Sequence, residues 1–86
     1  MPREVTAVEP AGEHRLLLTF RGGEQRIIDL AGLIQFTGVF LPLRDRDYFE
    51  QVRVNADLGT IVWPNGADLC PDVLYAESRT AGEDAA

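Results

Sequence analysis

The sequence contains no lysine and only single copies of cysteine, histidine, tryptophan and methionine. A lone Cys70 excludes an internal disulfide framework. Together with one histidine it cannot supply the four ligands of a structural zinc site. Nowhere do apolar residues run together for the length of about 18 that a membrane-crossing helix needs. Met1-Pro2-Arg3-Glu4 opens the chain without the apolar stretch of a signal peptide, so the expected compartment is cytoplasmic. The eight basic residues are all arginine and are scattered: Arg3, Arg15, Arg21, Arg26, Arg44, Arg46, Arg53 and Arg79. Scatter reads as compositional bias rather than as a clustered bidentate site for carboxylate or phosphate. With 14 acidic residues the net charge is −6. That charge opposes a polyphosphate backbone, so direct nucleic-acid binding is not expected, whereas a basic protein partner is suited to it.

What is present is the composition of one ordinary globular domain. The 86 residues are 45% hydrophobic and 26% charged. A chain of this size buries about 60% of its unfolded surface, enough for one thin core. No linker or repeat divides it, so a single domain is expected over residues 4–76. After Tyr75 no large apolar side chain remains, and residues 77–86 read as a mobile acidic tail.

Periodicity predicts an α+β fold. Glu4 to Glu9 is a short strand candidate. From His14 to Phe20 the side chains alternate, with Leu16, Leu18 and Phe20 on one face. Gly22-Gly23 then supplies a tight turn into a strand over Gln25 to Leu30. Ala31 to Leu43 is nearly all apolar but is broken by Gly32, Gly38 and Pro42, which predicts an irregular or briefly helical crossing of the core. Leu33, Phe36, Phe40 and Leu43 read as buried, with an apolar patch for a partner as the alternative. Arg44 to Gln51 is a short amphipathic helix with Asp45 or Asp47 as its cap. Val52 to Asn55 and Thr60 to Trp63 form a second hairpin around Gly59. Asp68 is the expected cap of a last helix that tolerates Pro71 in its first turn. The assembled expectation is a curved antiparallel sheet of about five strands, two hairpins plus the N-terminal strand, with one or two short helices on one face. Leu16, Leu18, Phe20, Ile28, Phe49, Val52, Val54, Ile61 and Trp63 form its core.

Reactive chemistry is thinly represented. His14 has only the adjacent Glu13 as a sequence neighbour of use, and strand neighbours point apart, so it reads as a surface residue beside a turn. Cys70 lies between Asp68 and Asp72, whose charges oppose thiolate formation, so it reads as a buried or half-buried thiol. Asp45, Asp47 and Glu50 are interleaved with Arg44 and Arg46, which favours a solvated helix face over a divalent-ion cage. Gly22-Gly23 lacks the lysine and following helix of a phosphate-binding loop. No catalytic residue, cofactor or metal site is therefore nominated. The densest group of unusual residues is Trp63-Pro64-Asn65-Gly66-Ala67-Asp68. Trp63, Pro64, Asn65, Gly66 and Asp68, with Phe36 and Phe40, are the candidate interaction residues.

Phe49-Glu50-Gln51-Val52-Arg53-Val54, then Gly59-Thr60-Ile61-Val62-Trp63-Pro64-Asn65-Gly66-Ala67-Asp68-Leu69, then Pro71 and Leu74-Tyr75, resemble a family of small bacterial domains known as domain of unknown function 2442. Val5, Val8, Leu16 to Phe20, Gly22-Gly23-Glu24 and Ile28-Asp29-Leu30 fit the same pattern. The resemblance implies a bacterial α+β domain that usually stands alone and is sometimes joined to a helix-turn-helix domain. It also implies company with another small protein in arrangements that look like toxin–antitoxin pairs, and it carries no established catalytic residue. The function expected is thus a non-catalytic protein-interaction module, antitoxin-like or regulatory, in a two-gene pair, with a small and basic protein partner. The alternatives are a component of a DNA-associated regulator and a small-ligand-binding domain. Homodimerisation through an edge strand is compatible with each of them.

Overall fold

A computed structural model describes residues 3–80. In chain order it contains β1 (Val5–Pro10), β2 (Arg15–Phe20), β3 (Gln25–Asp29), a 3₁₀ turn (Leu30–Gly32), a 3₁₀ segment (Gly38–Arg44), α1 (Arg46–Phe49), β4 (Arg53–Asn55), β5 (Thr60–Val62), α2 (Pro71–Glu77) and β6 (Arg79–Thr80). The fold is α+β, as the periodicity predicts. Its strands divide differently from the expected single sheet. Four form one antiparallel sheet in the order β1-β2-β3-β6, while β4 and β5 pair only with each other. The division has a local cause. The backbone N–H of Val5 donates to the Gly59 carbonyl at 2.9 Å, so the second hairpin abuts the edge of β1 at its turn. The free side of β5 is taken by its own returning chain, through a bridge between Val62 and Asp68.

Alternation in β2 does what its pattern requires. Leu16, Leu18 and Phe20 are buried, and the pairing of Leu16 with Ile28 brings β3 into the same core. The β2–β3 turn closes by the Gly23 N–H donating to Phe20 and the Phe20 N–H donating to Glu24. Gly22 and Gly23 both take positive φ there, a conformation that disfavours any residue with a Cβ. The core also contains Phe49, Ile61 and Trp63 as expected, and adds Val5, Leu30, Leu43, Ala67 and Leu74. Val52 and Val54 are only half-buried and pack against the core cluster from its margin.

The crossing from Ala31 to Leu43 is irregular with two 3₁₀ pieces. Asp29 caps the first by accepting from the Ala31 N–H at 3.0 Å. In the second, Leu43 is buried and Phe40 packs half-buried against the core, as does Phe36 just before it. Val39 and Leu41 remain 49% and 50% exposed. The segment is therefore core on one side and an apolar ridge on the other. α1 is a single turn capped by Asp45, which accepts from the Asp47 N–H at 2.9 Å.

Three expectations about the C-terminal part need correction. Asp68 does not cap α2; it is exposed and serves the bridge to Val62, while Cys70 occupies the cap position without a side-chain hydrogen bond. Cys70 is exposed rather than buried. The domain also runs past residue 76: Glu77 ends α2, Ser78 is buried, and Arg79-Thr80 pair with Arg26-Ile27 of β3. Polar contacts replace the missing apolar anchor. Arg26 donates from Nε to the Ser78 hydroxyl and from Nη2 to the Ser78 carbonyl, both at 2.7 Å. The Tyr75 ring lies between the Arg3 and Arg26 guanidinium groups, 3.6 and 4.2 Å from its centroid. The remainder of the expected tail, residues 81–86, lies outside the described residues.

Candidate functional site

The Trp63–Asp68 segment is a tight turn that returns the chain onto β5. Gly66 donates to the Trp63 carbonyl and Trp63 donates to the Ala67 carbonyl, each at 2.9 Å. Pro64 in the second position has its φ preset for such a turn, and Gly66 adopts a φ of +89°. The side-chain polar groups of Trp63 and Asn65 are engaged with backbone. The Trp63 indole N–H donates to the Phe49 carbonyl at 3.0 Å, and the side chain is buried. The Asn65 amide donates from Nδ2 to the Val39 carbonyl at 2.8 Å and accepts at Oδ1 from Ala67 at 3.1 Å. The Asn65 backbone N–H donates to the Tyr48 hydroxyl at 2.8 Å. One turn thus fastens α1, through Phe49 and Tyr48, and the 3₁₀ ridge, through Val39.

Among the candidate interaction residues, Trp63 is interior and presents no surface. Pro64, Asn65, Gly66 and Asp68 are exposed. Phe40 sits in the ridge that Asn65 holds. Phe36 faces elsewhere, with its ring centroid 4.7 Å from that of His14. What the turn brings forward is Val39 and Leu41, which were not singled out in the sequence. A run of apolar residues without clear period gives no sign of which members escape burial.

His14 is the second departure. It adopts a φ of +57°, unusual for a residue with a Cβ. Its ring is half-buried, 4.7 Å from Phe36 and 5.3 Å from Phe49 between centroids. Nε2 lies 3.0 Å from the Leu43 carbonyl. A carbonyl only accepts, so Nε2 is the donor in this contact. His14 therefore pins the 3₁₀ segment to the β1–β2 turn instead of lying loose beside it. A cleft of about 420 Å³ opens on one side of it, over Glu13, Arg15 and Asp29. One of about 260 Å³ opens on the other, beside Arg44 and Arg46.

The acidic residues around α1 are engaged locally. Asp45 is the cap, and Glu50 pairs with Arg46 at 3.1 Å. Among the described residues no three His, Cys, Asp or Glu side chains converge as a metal site would require. Glu24 is the one carboxylate with a distinct environment. The Tyr75 hydroxyl first, and then Arg26, hold it below the usual carboxylate range.

A family model described as "Protein of unknown function (DUF2442)" matches residues 5–80, nearly all of the described domain. The chain belongs to the DUF2442 family. The match ends where β6 ends, so the short C-terminal strand lies within the family's domain. No curated protein and no solved structure matches the chain. Among the described residues of this DUF2442 domain, no helix is long and apolar enough to cross a membrane.

Proposed function

We propose that this DUF2442 domain is a non-catalytic protein-interaction module, the antitoxin-like or regulatory member of a two-gene pair, and that its docking surface is the ridge around Val39 and Leu41. One observation carries the reading: Asn65 commits both ends of its side-chain amide to backbone, and the carbonyl it takes from the ridge belongs to the half-exposed Val39. A motif built this way works as a bracket for an apolar surface, and exposed apolar side chains held on a rigid support are what a protein partner buries. The net charge of −6 favours a basic partner and a cytoplasmic setting is assumed for it.

The test is co-expression with the product of the adjacent gene, followed by affinity capture and calorimetry. A complex with wild type that weakens at least about 30-fold in Val39→Asp/Leu41→Asp is expected, the loss typical of removing central interface residues. Absence of any complex at micromolar concentration, or a complex indifferent to that double substitution, would dispose of the assignment.

A further inference from the structure

The four-stranded sheet has one face on the core and a second, largely open face bordered by Gly32 of the 3₁₀ turn and Glu77 of α2. The registers fix what lies on the open face. Glu9 of β1 is opposite Leu17 of β2, Leu17 is opposite Ile27 of β3, and Ile27 is opposite Arg79 of β6. These four make one row across the sheet, with an acid at one end, two aliphatic side chains in the middle and a base at the other end. The next row contains Arg15 opposite Asp29. The row beyond Leu17 on the other side holds Ala7, Thr19 and Gln25, which are uncharged. Leu17 and Ile27 are half-buried by their neighbours, and Glu9, Arg15, Asp29 and Arg79 are exposed. None of these four charged side chains belongs to an ion pair among the described residues. Asp29 has one oxygen occupied by the Ala31 N–H. Arg15, Asp29, Glu77 and Arg79 border a shared hollow of about 270 Å³ that has Ile27 and Gly32 in its lining.

We propose that this open face is a homodimer interface, with a two-fold axis lying between the two sheets and parallel to the strands. That rotation reverses each row over its copy. Glu9 comes to lie against Arg79 of the second copy, Leu17 against Ile27, and Arg15 against Asp29. Each charge meets its opposite and the aliphatic pair is covered by itself, which is the self-complementarity an isologous contact demands. Two sheets stacked with strands nearly aligned, about 10 Å apart, is a standard packing. The charge balance matters because the whole chain is at −6, yet the strand residues of this face carry two acids and two bases, with Glu77 at the border the one further acid. A second copy, repelled by most of the surface, meets little net charge here. The molecule is 33 × 31 Å across and 18 Å thick. Val39, Phe40 and Leu41 belong to none of the rows that the dimer pairs.

Sedimentation velocity over a concentration series tests the proposal on the full chain. The wild type is expected to sediment at twice its 9.5 kDa in the micromolar range. Leu17→Asp is expected to raise the dimer dissociation constant at least about 30-fold, with circular dichroism reporting whether the fold survives. The decisive variants are Glu9→Arg, Arg79→Glu and the two together. Within one chain these positions are three strand spacings apart, about 14 Å, too far to pair with each other. Each single reversal should weaken the dimer and the double reversal should restore it, because only contact between copies can reunite the charges. A wild type that stays monomeric up to about 100 µM, where even weak specific dimers form, overturns the proposal. A dimer insensitive to all of these substitutions also overturns it, by placing the contact elsewhere. Neither result bears on capture of the adjacent gene product by the ridge.

Discussion

Residues 5–30 and residues 31–69 are built by different means. The first stretch is an antiparallel meander whose bonds follow from alternation and a glycine turn, each strand pairing with the next along the chain. The second has little regular structure, and single side chains bridge long gaps in it. His14 reaches Leu43, Trp63 reaches Phe49, and Asn65 reaches Val39 across 29, 14 and 26 residues. A ladder spreads its stability over many equivalent bonds, whereas a bracket concentrates it in a few named atoms. Substitutions should therefore act locally and unevenly in the second region, and the surface it presents should depend on residues that never touch a partner.

The largest expected effect is from Trp63→Ala. It empties the centre of the core and removes the shorter of the two hydrogen bonds to the Phe49 carbonyl, and should cost about 3–5 kcal/mol, read as a shift in the denaturant midpoint. That is a large share of the stability of so small a domain. Retention of the wild-type midpoint would mean that the indole is not the interior post described here. Gly59→Ala should come next, at about 1–3 kcal/mol. Gly59 has a φ of +68°, and an added Cβ would lie 3.1 Å from Cγ of Glu4, where β1 meets the second hairpin. A neutral result would show that the two sheets adjust at that junction. His14→Ala should destabilise by about 1–2 kcal/mol, because it removes the hydrogen bond to Leu43 and two aromatic contacts. His14→Gly should recover part of that loss, since glycine accepts the positive φ.

The smallest effect is pH-dependent. The Glu24 carboxyl is held down chiefly by Tyr75 and then by Arg26. Its folded-state titration lies below that of the unfolded chain, so its contribution is present above the ordinary carboxylate range and fades as pH falls through the lowered value. Protection of the Arg79 and Thr80 amides, relative to their intrinsic exchange rates, should fall in acid, and Glu24→Gln should remove that pH dependence. Identical profiles for the two proteins would detach the carboxylate from the C-terminal strand.

The readable part of the fold is the part written in periodicity. Leu16, Leu18, Phe20 and Ile28 were identifiable as core from alternation alone, and the Gly22-Gly23 turn from the need for positive φ. The turn at Gly59 was equally legible, though not the part of the Asn55 side chain, which accepts there from Asp57 and Leu58. The division of the strands into two sheets was not, because it depends on how the chain after Val62 folds back. The strand at Arg79-Thr80 escaped notice because its anchors are polar: Arg26, Tyr75 and Ser78 form a layered contact that no hydrophobicity pattern signals. In the site, the motif at residues 63–68 stood out by composition. Its role did not, since the atoms Asn65 and Trp63 bind belong to distant backbone that any residue would supply.

Residue-resolved amide exchange on Asn65→Ala tests the bracket most directly. The expected result is faster exchange confined to residues 36–45 and 64–67, with β1, β2 and β3 unchanged and the melting midpoint lowered only slightly. Unaltered protection across the ridge would contradict the account, as would a loss spread evenly through the meander.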